Sequence, residues 1–459
     1  MRIALVGDVH ANLPALEAVL NHARRQGVEV VWNVGDFIGY GAFPNEVIHR
    51  LQEEQALSIA GNYDRKVVRF KKKRETWRKK KQAQKFLAFQ WARATLSKKN
   101  LKYLRSLPQE RELQVEGQRV LLTHGSPDSA SEHLTPDTPE ERLRALASGI
   151  QADLVVCGHS HRAFVRDVDG VRFINTGSVG RPDDGDPRAC YAVLEMRQGA
   201  DGEYRVRHYR LTYDVERAVA ALRERGLPEA FAQMTIQGCA LDDVMEAPHT
   251  WNAPARDVLP WGRAETERRL EAVLQLARDC DYEAEHTHHV TELSLRLFDE
   301  LQPLHWLGAE ERFWLRCGAL LHDIGWLEGQ KAHHKTSLRL ILNAPDLPFD
   351  HRERHLVGSI ARYHRRALPK DKHDHLAVLS PVNQYRVTVL AGILRVADGL
   401  DRTHREVVQD LSCKMPPGKI IIRCGVRMYP IPEQEYALKK GDLLERAFDR
   451  ELVVEWRPI

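Results

Sequence analysis

Cysteine is scarce in this 459-residue chain, and the seven present, Cys157, Cys190, Cys239, Cys280, Cys317, Cys413 and Cys424, stand far apart. An odd, scattered set argues against a disulfide framework and for a reducing, cytoplasmic setting. Long apolar runs are missing as well. None approaches the roughly 20 residues that cross a bilayer. The stretch Ile3-Ala4-Leu5-Val6 is too short for a signal peptide and reads as a buried strand, so no membrane association is expected. Acid is nearly absent from one segment: between Arg65 and Lys102 there are sixteen Lys or Arg residues and a single acid, Glu75, although the whole chain carries only +4. Such a segment suits RNA, polyphosphate or another phosphate-rich partner. It suits equally a set of helices with a solvated basic face, because Trp77, Phe86, Phe89, Trp91, Leu96 and Leu101 fit an apolar side.

The rest of the composition is globular, and the length exceeds a single core, which predicts two or three domains. In the first half, apolar runs end in polar groups. Ile3–Val6 leads into Gly7-Asp8-Val9-His10, and 28–34 into Gly35-Asp36. Arg119–Thr123 precedes His124, and Asp153–Cys157 precedes Gly158-His159-Ser160-His161. Between the first two runs, Leu13–Leu20 has a helical apolar pattern with Pro14 in its first turn. This is β-α-β organisation, with each polar group at the carboxyl end of a strand, where ligands of α/β folds sit. Asp8 and His10 fit one cation, with Asp36 bridging to a second; Asn62, His124 and His159 complete the second site, and His161 returns to the first. Mixed imidazole and carboxylate donors suit manganese, iron, nickel or zinc better than magnesium. Paired cations of this kind hydrolyse phosphate esters. The Gly-rich turn Asn175–Gly180 fits the wall of the same cleft, 204–211 alternates as a late strand, and Asp214–Val219 opens a helix.

From Arg263 the period becomes helical, with one stripe at Leu270, Val273, Leu274 and Ala277 and another at Val290, Leu293, Leu297, Phe298 and Leu301. His286, the adjacent His322 and Asp323, and Asp398 form a minimum cluster for one cation, because a buried His–Asp pair needs partners. His334 and His364 are candidates for a second ion or for phosphate, while His288, His289 and His333 read as neighbours. Arg365, Arg366, Arg395 and Arg402 are candidate phosphate contacts, since guanidinium offers paired donors. With twenty-two histidines in the chain, isolated matches are discounted.

The blocks Gly7-Asp8-Val9-His10, Gly35-Asp36-Phe37-Ile38-Gly39-Tyr40-Gly41, Gly61-Asn62-Tyr63-Asp64, His124-Gly125 and Gly158-His159-Ser160-His161 resemble those of the calcineurin-like metallophosphoesterases, in particular their compact phosphodiesterase branch. The resemblance covers 1–235. It implies a two-layered β-sandwich flanked by helices, a dinuclear centre and the ligand roles assigned above. Two positions depart from it. Tyr63 stands where the family often has a histidine near the leaving-group oxygen, and a phenol with an ordinary pKa of about 10 is a poor general acid. Ala11 replaces a frequent glycine, and Asn12 after it suits phosphate binding or capping of the next helix.

The second half resembles the HD phosphohydrolase superfamily, and specifically the C-terminal helical region of exopolyphosphatase and guanosine-pentaphosphate phosphatase proteins. His286-Thr287-His288-His289, His322-Asp323-Ile324-Gly325, His333-His334-Lys335-Thr336, Tyr363-His364-Arg365 and Val396-Ala397-Asp398-Gly399 carry that likeness, with Thr336 where another histidine is common. It implies a mostly helical domain over 263–459 with a small strand-rich tail and one or two divalent metals. The catalytic half that precedes this region in those proteins has no match, so their activity does not transfer. Residues 236–262 read as a linker or arm. The expectation is a metal-dependent hydrolase of phosphate esters, phosphodiesters or nucleotide-type substrates, with the HD region either a second catalytic centre or a substrate-binding module. The alternatives are an RNA-processing enzyme and a catalytically weak nucleotide sensor or scaffold. A homo-oligomer through the HD region is compatible with the sequence, although no single stripe establishes it.

Overall fold

The computed structural model of the protein describes residues 1–196, 204–246, 259–370, 372–427 and 431–459. It divides into two units, one of 1–73 with 88–247 and one of 74–87 with 248–459. In the first unit the strands are β1 (Arg2–Val6), β2 (Val30–Asn33), β3 (Leu57–Ser58), β4 (Glu110–Val115), β5 (Gln118–Thr123), β6 (Leu154–Cys157), β7 (Phe164–Val168), β8 (Val171–Asn175), β9 (Ala189–Met196) and β10 (Tyr204–Leu211). They form two five-stranded sheets, ordered β10-β9-β1-β2-β3 and β4-β5-β6-β8-β7. At the centre of each sheet the pairs are parallel, β1 with β2 and β5 with β6 and then β8.

Strand alternation makes the core. Ile3, Leu5, Trp32 and Val34 from the first sheet meet Val120, Leu122, Leu154, Val156 and Ile174 from the second. The intervening residues Leu121, Val155 and Phe173 point to the opposite face, where Leu143 and Leu146 of the helix Glu140–Ser148 cover them. A period of two thus serves both the layer between the sheets and the helical layer outside. Each such buried aliphatic side chain contributes about 1.5–3 kcal/mol. The result is the two-layered β-sandwich flanked by helices. After β1 the helix Leu13–Arg25 starts where Asn12 accepts from the Ala15 N–H at 3.3 Å and Pro14 occupies its first turn.

The second unit is mostly helical. Its core helix, Pro381–Leu400, is buried on nearly every face, with Asn383, Gln384, Arg395 and Asp398 buried among its apolar residues. Around it lie Ala284–Glu300, Ala309–Leu320 and His351–Arg362. The tail adds a small sheet of β11 (Val408–Lys414), β12 (Lys419–Val426) and β13 (Glu451–Pro458), with β12 and β13 parallel. Residues 74–87 are part of this unit: Gln84 donates to the Tyr385 hydroxyl at 3.2 Å and Arg78 to Gln384 at 3.4 Å. The basic segment 65–102 is therefore divided between the units, as helices Asn62–Lys80, Ala83–Thr95 and Lys98–Ser106 with Phe86, Phe89, Trp91, Leu96 and Leu101 buried. Within the stretch expected as a linker or arm, Leu241–Glu246 is helical and grouped with the first unit, while 247–258 lies outside the described residues. No described helix is long and apolar enough to cross a membrane.

Candidate metal centres

In the first unit Asp8 follows β1, Asp36 follows β2, His124 follows β5, and His159 and His161 follow β6. The chain must reverse at once to aim these side chains back, and it does so at a conformational cost. Asp8, His10, Ala11, Asp36, His159 and His161 all have φ between +48° and +67°, a region that costs L-residues roughly 1–2 kcal/mol each. A glycine in place of Ala11 would avoid that strain. Backbone bonds hold the loops together, from Asp8 N–H to Gly35 O at 3.0 Å and from His10 N–H to Asp36 O at 2.9 Å. Two glycines leave room for the carboxylates: a Cβ at Gly158 would lie 2.4 Å from Asp8 Oδ2, and one at Gly61 2.1 Å from Asp36 Oδ1.

The side chains fall into two groups, Asp8 with His10 and His161, and Asp36 with His124 and His159. His10 Nε2 joins them, 3.3 Å from His161 Nε2 and 3.8 Å from Asp36 Oδ2. Asn62 reaches the second group, its amide 3.0 Å from His159 Nδ1. Tautomers are set from outside the cluster. His124 Nδ1 must donate to the Val34 carbonyl at 2.8 Å, and His161 Nδ1 faces Asp183 Oδ2 at 3.3 Å, leaving each Nε2 to point inward. His124 Nε2 and Asn62 Oδ1 are buried without a hydrogen bond. Inward imidazole nitrogens and orphaned buried acceptors around carboxylates are what divalent cations satisfy.

Charge coupling is strong here. Burial pulls His124 down, but the Asp36 and Asp8 carboxylates push it up to about 9. His161 is likewise lowered by burial and held at about 9 by Asp8 and Asp183. Burial and the His124 charge push His159 down to about 4. Asp64 accepts from the Asp36 and Gly61 N–H groups, both at 2.9 Å, and burial beside the Asp36 charge raises it to about 7. Cation uptake must therefore displace protons from His124 and His161, and affinity should rise with pH from 6 to 9. Calorimetry at pH 7 in buffers of different ionisation enthalpy should count about two protons released at this centre; release of none would contradict the assignment. Asp183, not anticipated from sequence, orients His161. D183N should weaken metal binding about 10–100-fold, read by metal titration, with the fold retained.

The second unit holds two further groups, His286 with His322 and Asp398, and Asp323 with His333 and His364. Again the Nδ1 atoms are committed outward: His286 to Asp401 at 2.8 Å, His322 to Ala319 O at 2.7 Å, and His364 to Ala361 O at 2.7 Å. His286 Nε2 and His322 Nε2 are buried without a hydrogen bond. Asp323 Oδ1 lies 3.0 Å from His333 Nε2 and 3.4 Å from His364 Nε2. The imidazole beside Asp323 is thus His333, read from sequence as a neighbour, rather than His334. His334 is buried alongside, and burial and the Arg362 charge push it down to about 3. Lys440 meets Asp398 Oδ2, and burial outweighed by that ammonium leaves Asp398 well below the usual carboxylate range.

The arginine candidates separate. Arg395 is buried and committed to Tyr363 O, Lys440 O and Asp442, so its donors brace the fold instead of facing substrate. Arg365 does reach the centre, 3.2 Å from His333 Nε2. Arg366 and Arg402 are exposed, the latter over the Tyr436 ring. In the first unit Asn12 caps the following helix and donates to Gly180 O at 2.9 Å and the Tyr213 hydroxyl at 3.1 Å.

A family model described as the calcineurin-like phosphoesterase superfamily domain matches residues 1–199. An uncharacterized protein of Methanocaldococcus jannaschii is 31% identical over 253 residues, 51% of this chain and 98% of the relative. The chain belongs to the calcineurin-like phosphoesterase superfamily. The phosphodiesterase YfcE of Escherichia coli K12 is 26% identical over 205 residues, 42% of this chain and 88% of that protein. A solved metallophosphoesterase from Sphaerobacter thermophilus is 30% identical, covering 52% of this chain and 100% of that one, with a TM-score of 0.43. A second model, Ppx/GppA phosphatase domain III, matches residues 269–422. The metallophosphoesterase domain is thus fused to a Ppx/GppA-like domain that carries its own His–Asp clusters, an arrangement consistent with metal-dependent phosphoester hydrolysis.

Proposed function

We propose that the N-terminal centre hydrolyses phosphodiesters, nucleotide-type diesters among them, and that the helical unit carries a second phosphohydrolase centre. The supporting observation is the convergence of Asp8, His10 and His161 on one position and of Asp36, His124 and His159 on the next. These residues, with Asn62, would hold manganese, iron, nickel or zinc, Asp36 lying between the two positions. Bound there, two cations supply an activated water and neutralise charge on the phosphoryl group. The chain itself offers little acid catalysis. Tyr63 packs on His10, ring centroids 5.1 Å apart, and its hydroxyl is engaged with Tyr40 at 3.3 Å. Substrates whose leaving groups depart without protonation therefore suit this centre best. The E. coli relative is named a phosphodiesterase, which agrees with that preference.

The test is turnover of the whole protein on bis-p-nitrophenyl phosphate and p-nitrophenyl phosphate with manganese, nickel, zinc and magnesium. The diester should be preferred by about tenfold or more in kcat/KM, about 1.4 kcal/mol. Preference for the monoester, or turnover unaffected by chelation, would reject the reading. An RNA substrate is the second reading, favoured by the exposed run Lys71–Lys73. It requires RNA affinity that falls steeply with salt.

A further inference from the structure

We propose that Arg181 is the phosphate-binding cation of the N-terminal centre, its guanidinium gripping non-bridging oxygens of the phosphoester beside His10. The proposal rests on the phosphoesterase reading of that centre. The backbone of Arg181 is bound tightly to the metal loop. Val179 N–H donates to Gly7 O at 3.0 Å and Gly180 N–H to Asp8 O at 3.1 Å. Ser178 links the two segments, donating its hydroxyl to Asp8 O at 2.8 Å and accepting from Arg181 N–H at 2.9 Å. Contact is so close that a Cβ on Gly180 would fall 1.9 Å from Val9 O. The Arg181 backbone is therefore held against the loop that carries Asp8.

Its side chain lies over the aromatic pair next to His10. The guanidinium carbon is 4.6 Å from the Tyr40 ring centroid and 5.9 Å from that of Tyr63. Arg181 and His10 both border a small, largely apolar pocket walled by Tyr40, Phe43, Leu222, Phe231 and Met234, with His10 the one metal ligand on its wall. Arg181 Nε is buried without a hydrogen bond, while the guanidinium is hydrogen-bonded to Tyr63 and lies within reach of the Asp183 charge. The acid nearest in sequence, Asp183, lies 3.3 Å from His161 Nδ1 and interacts electrostatically with Arg181 as well. A half-buried guanidinium with its Nε unpartnered, beside a cluster of metal ligands, favours an anion. A phosphoryl group fits, because the planar fork matches two of its oxygens. The guanidinium stays protonated throughout, so it contributes charge and orientation and transfers no proton. Tyr40 and Tyr63 then act as its platform.

The bland reading is that Arg181 only packs on the tyrosines. Full-length, manganese-loaded R181M and R181K separate the two. Metal content and thermal midpoint should match wild type in both. R181M should bind inorganic phosphate about 10–100-fold more weakly by calorimetry and lose about 100-fold in kcat/KM on bis-p-nitrophenyl phosphate. R181K, with charge but no fork, should lose about tenfold. Wild-type phosphate affinity in R181M would overturn the proposal. If R181M fails to fold, R181K decides, and values within about twofold of wild type in both readouts would overturn it. If the wild-type protein turned over no phosphoester, the functional reading would fall, yet weakened phosphate binding in R181M would still uphold Arg181 as the anion site.

Discussion

Asp36→Asn lowers metal-dependent hydrolysis by the N-terminal centre about 10³-fold or more, equivalent to about 4 kcal/mol of transition-state stabilisation. The substitution is nearly isosteric. Its Oδ1 can still accept from Tyr63 N–H, now at 2.7 Å, so the start of the helix Asn62–Lys80 is preserved. What disappears is the negative charge 3.4 Å from His124 Nε2 and 3.8 Å from His10 Nε2. Without it the second group, His124 and His159, has no carboxylate ligand of its own, and two cations can no longer sit side by side. Loss of activity together with loss of bound metal, in a protein of unchanged thermal midpoint, is the expected pattern. Retained turnover in a pure, metal-checked variant would contradict the ligand assignment.

The second large effect concerns the helical unit. The four clusters predict four divalent ions per chain, two in each unit. The double substitution His322→Ala, Asp323→Ala removes a donor from one cluster of the second unit and the central carboxylate of the other. Metal content by mass spectrometry should fall from about four to about two ions per chain. Turnover of bis-p-nitrophenyl phosphate should stay within about twofold, because every ligand of the first centre belongs to the other unit and independent sites add. Unaltered metal content would remove the second centre. A matching collapse of diester turnover would instead place that activity in the helical unit.

Much of this was legible from the sequence because the signals were local. A buried strand must be apolar, and a polar residue placed directly after it lies at the sheet's carboxyl edge; Asp8, Asp36, His124 and His159 each announce themselves that way. The helix capped by Asn12 and the strand 204–211 followed from periodicity in the same manner. Edge strands were less visible. β4 and β7 carry exposed, charged residues such as Glu110, Arg111 and Asp167, so no apolar alternation marks them. The choice between His333 and His334 was invisible because both open a helix whose register is set by Ala332, with φ +65°. Neighbours on a helix point about 100° apart, and only the start of the helix decides which one faces Asp323. Asp183, Asp401 and Arg181 were missed for another reason. They act through contacts brought about by folding, and no spacing relates them to the residues they support. Arg395 misled because a guanidinium bracing three backbone and side-chain acceptors looks, in sequence, like one awaiting phosphate.

The most direct measurement is anomalous X-ray diffraction from crystals of the full chain grown with manganese. Two pairs of peaks are predicted, each pair about 3.5–4 Å apart, one among Asp8, His10, Asp36, His124, His159 and His161 and one among His286, His322, Asp323, His333, His364 and Asp398. Absence of manganese from both sets of ligands, in a protein that nonetheless hydrolyses phosphoesters, would contradict the account.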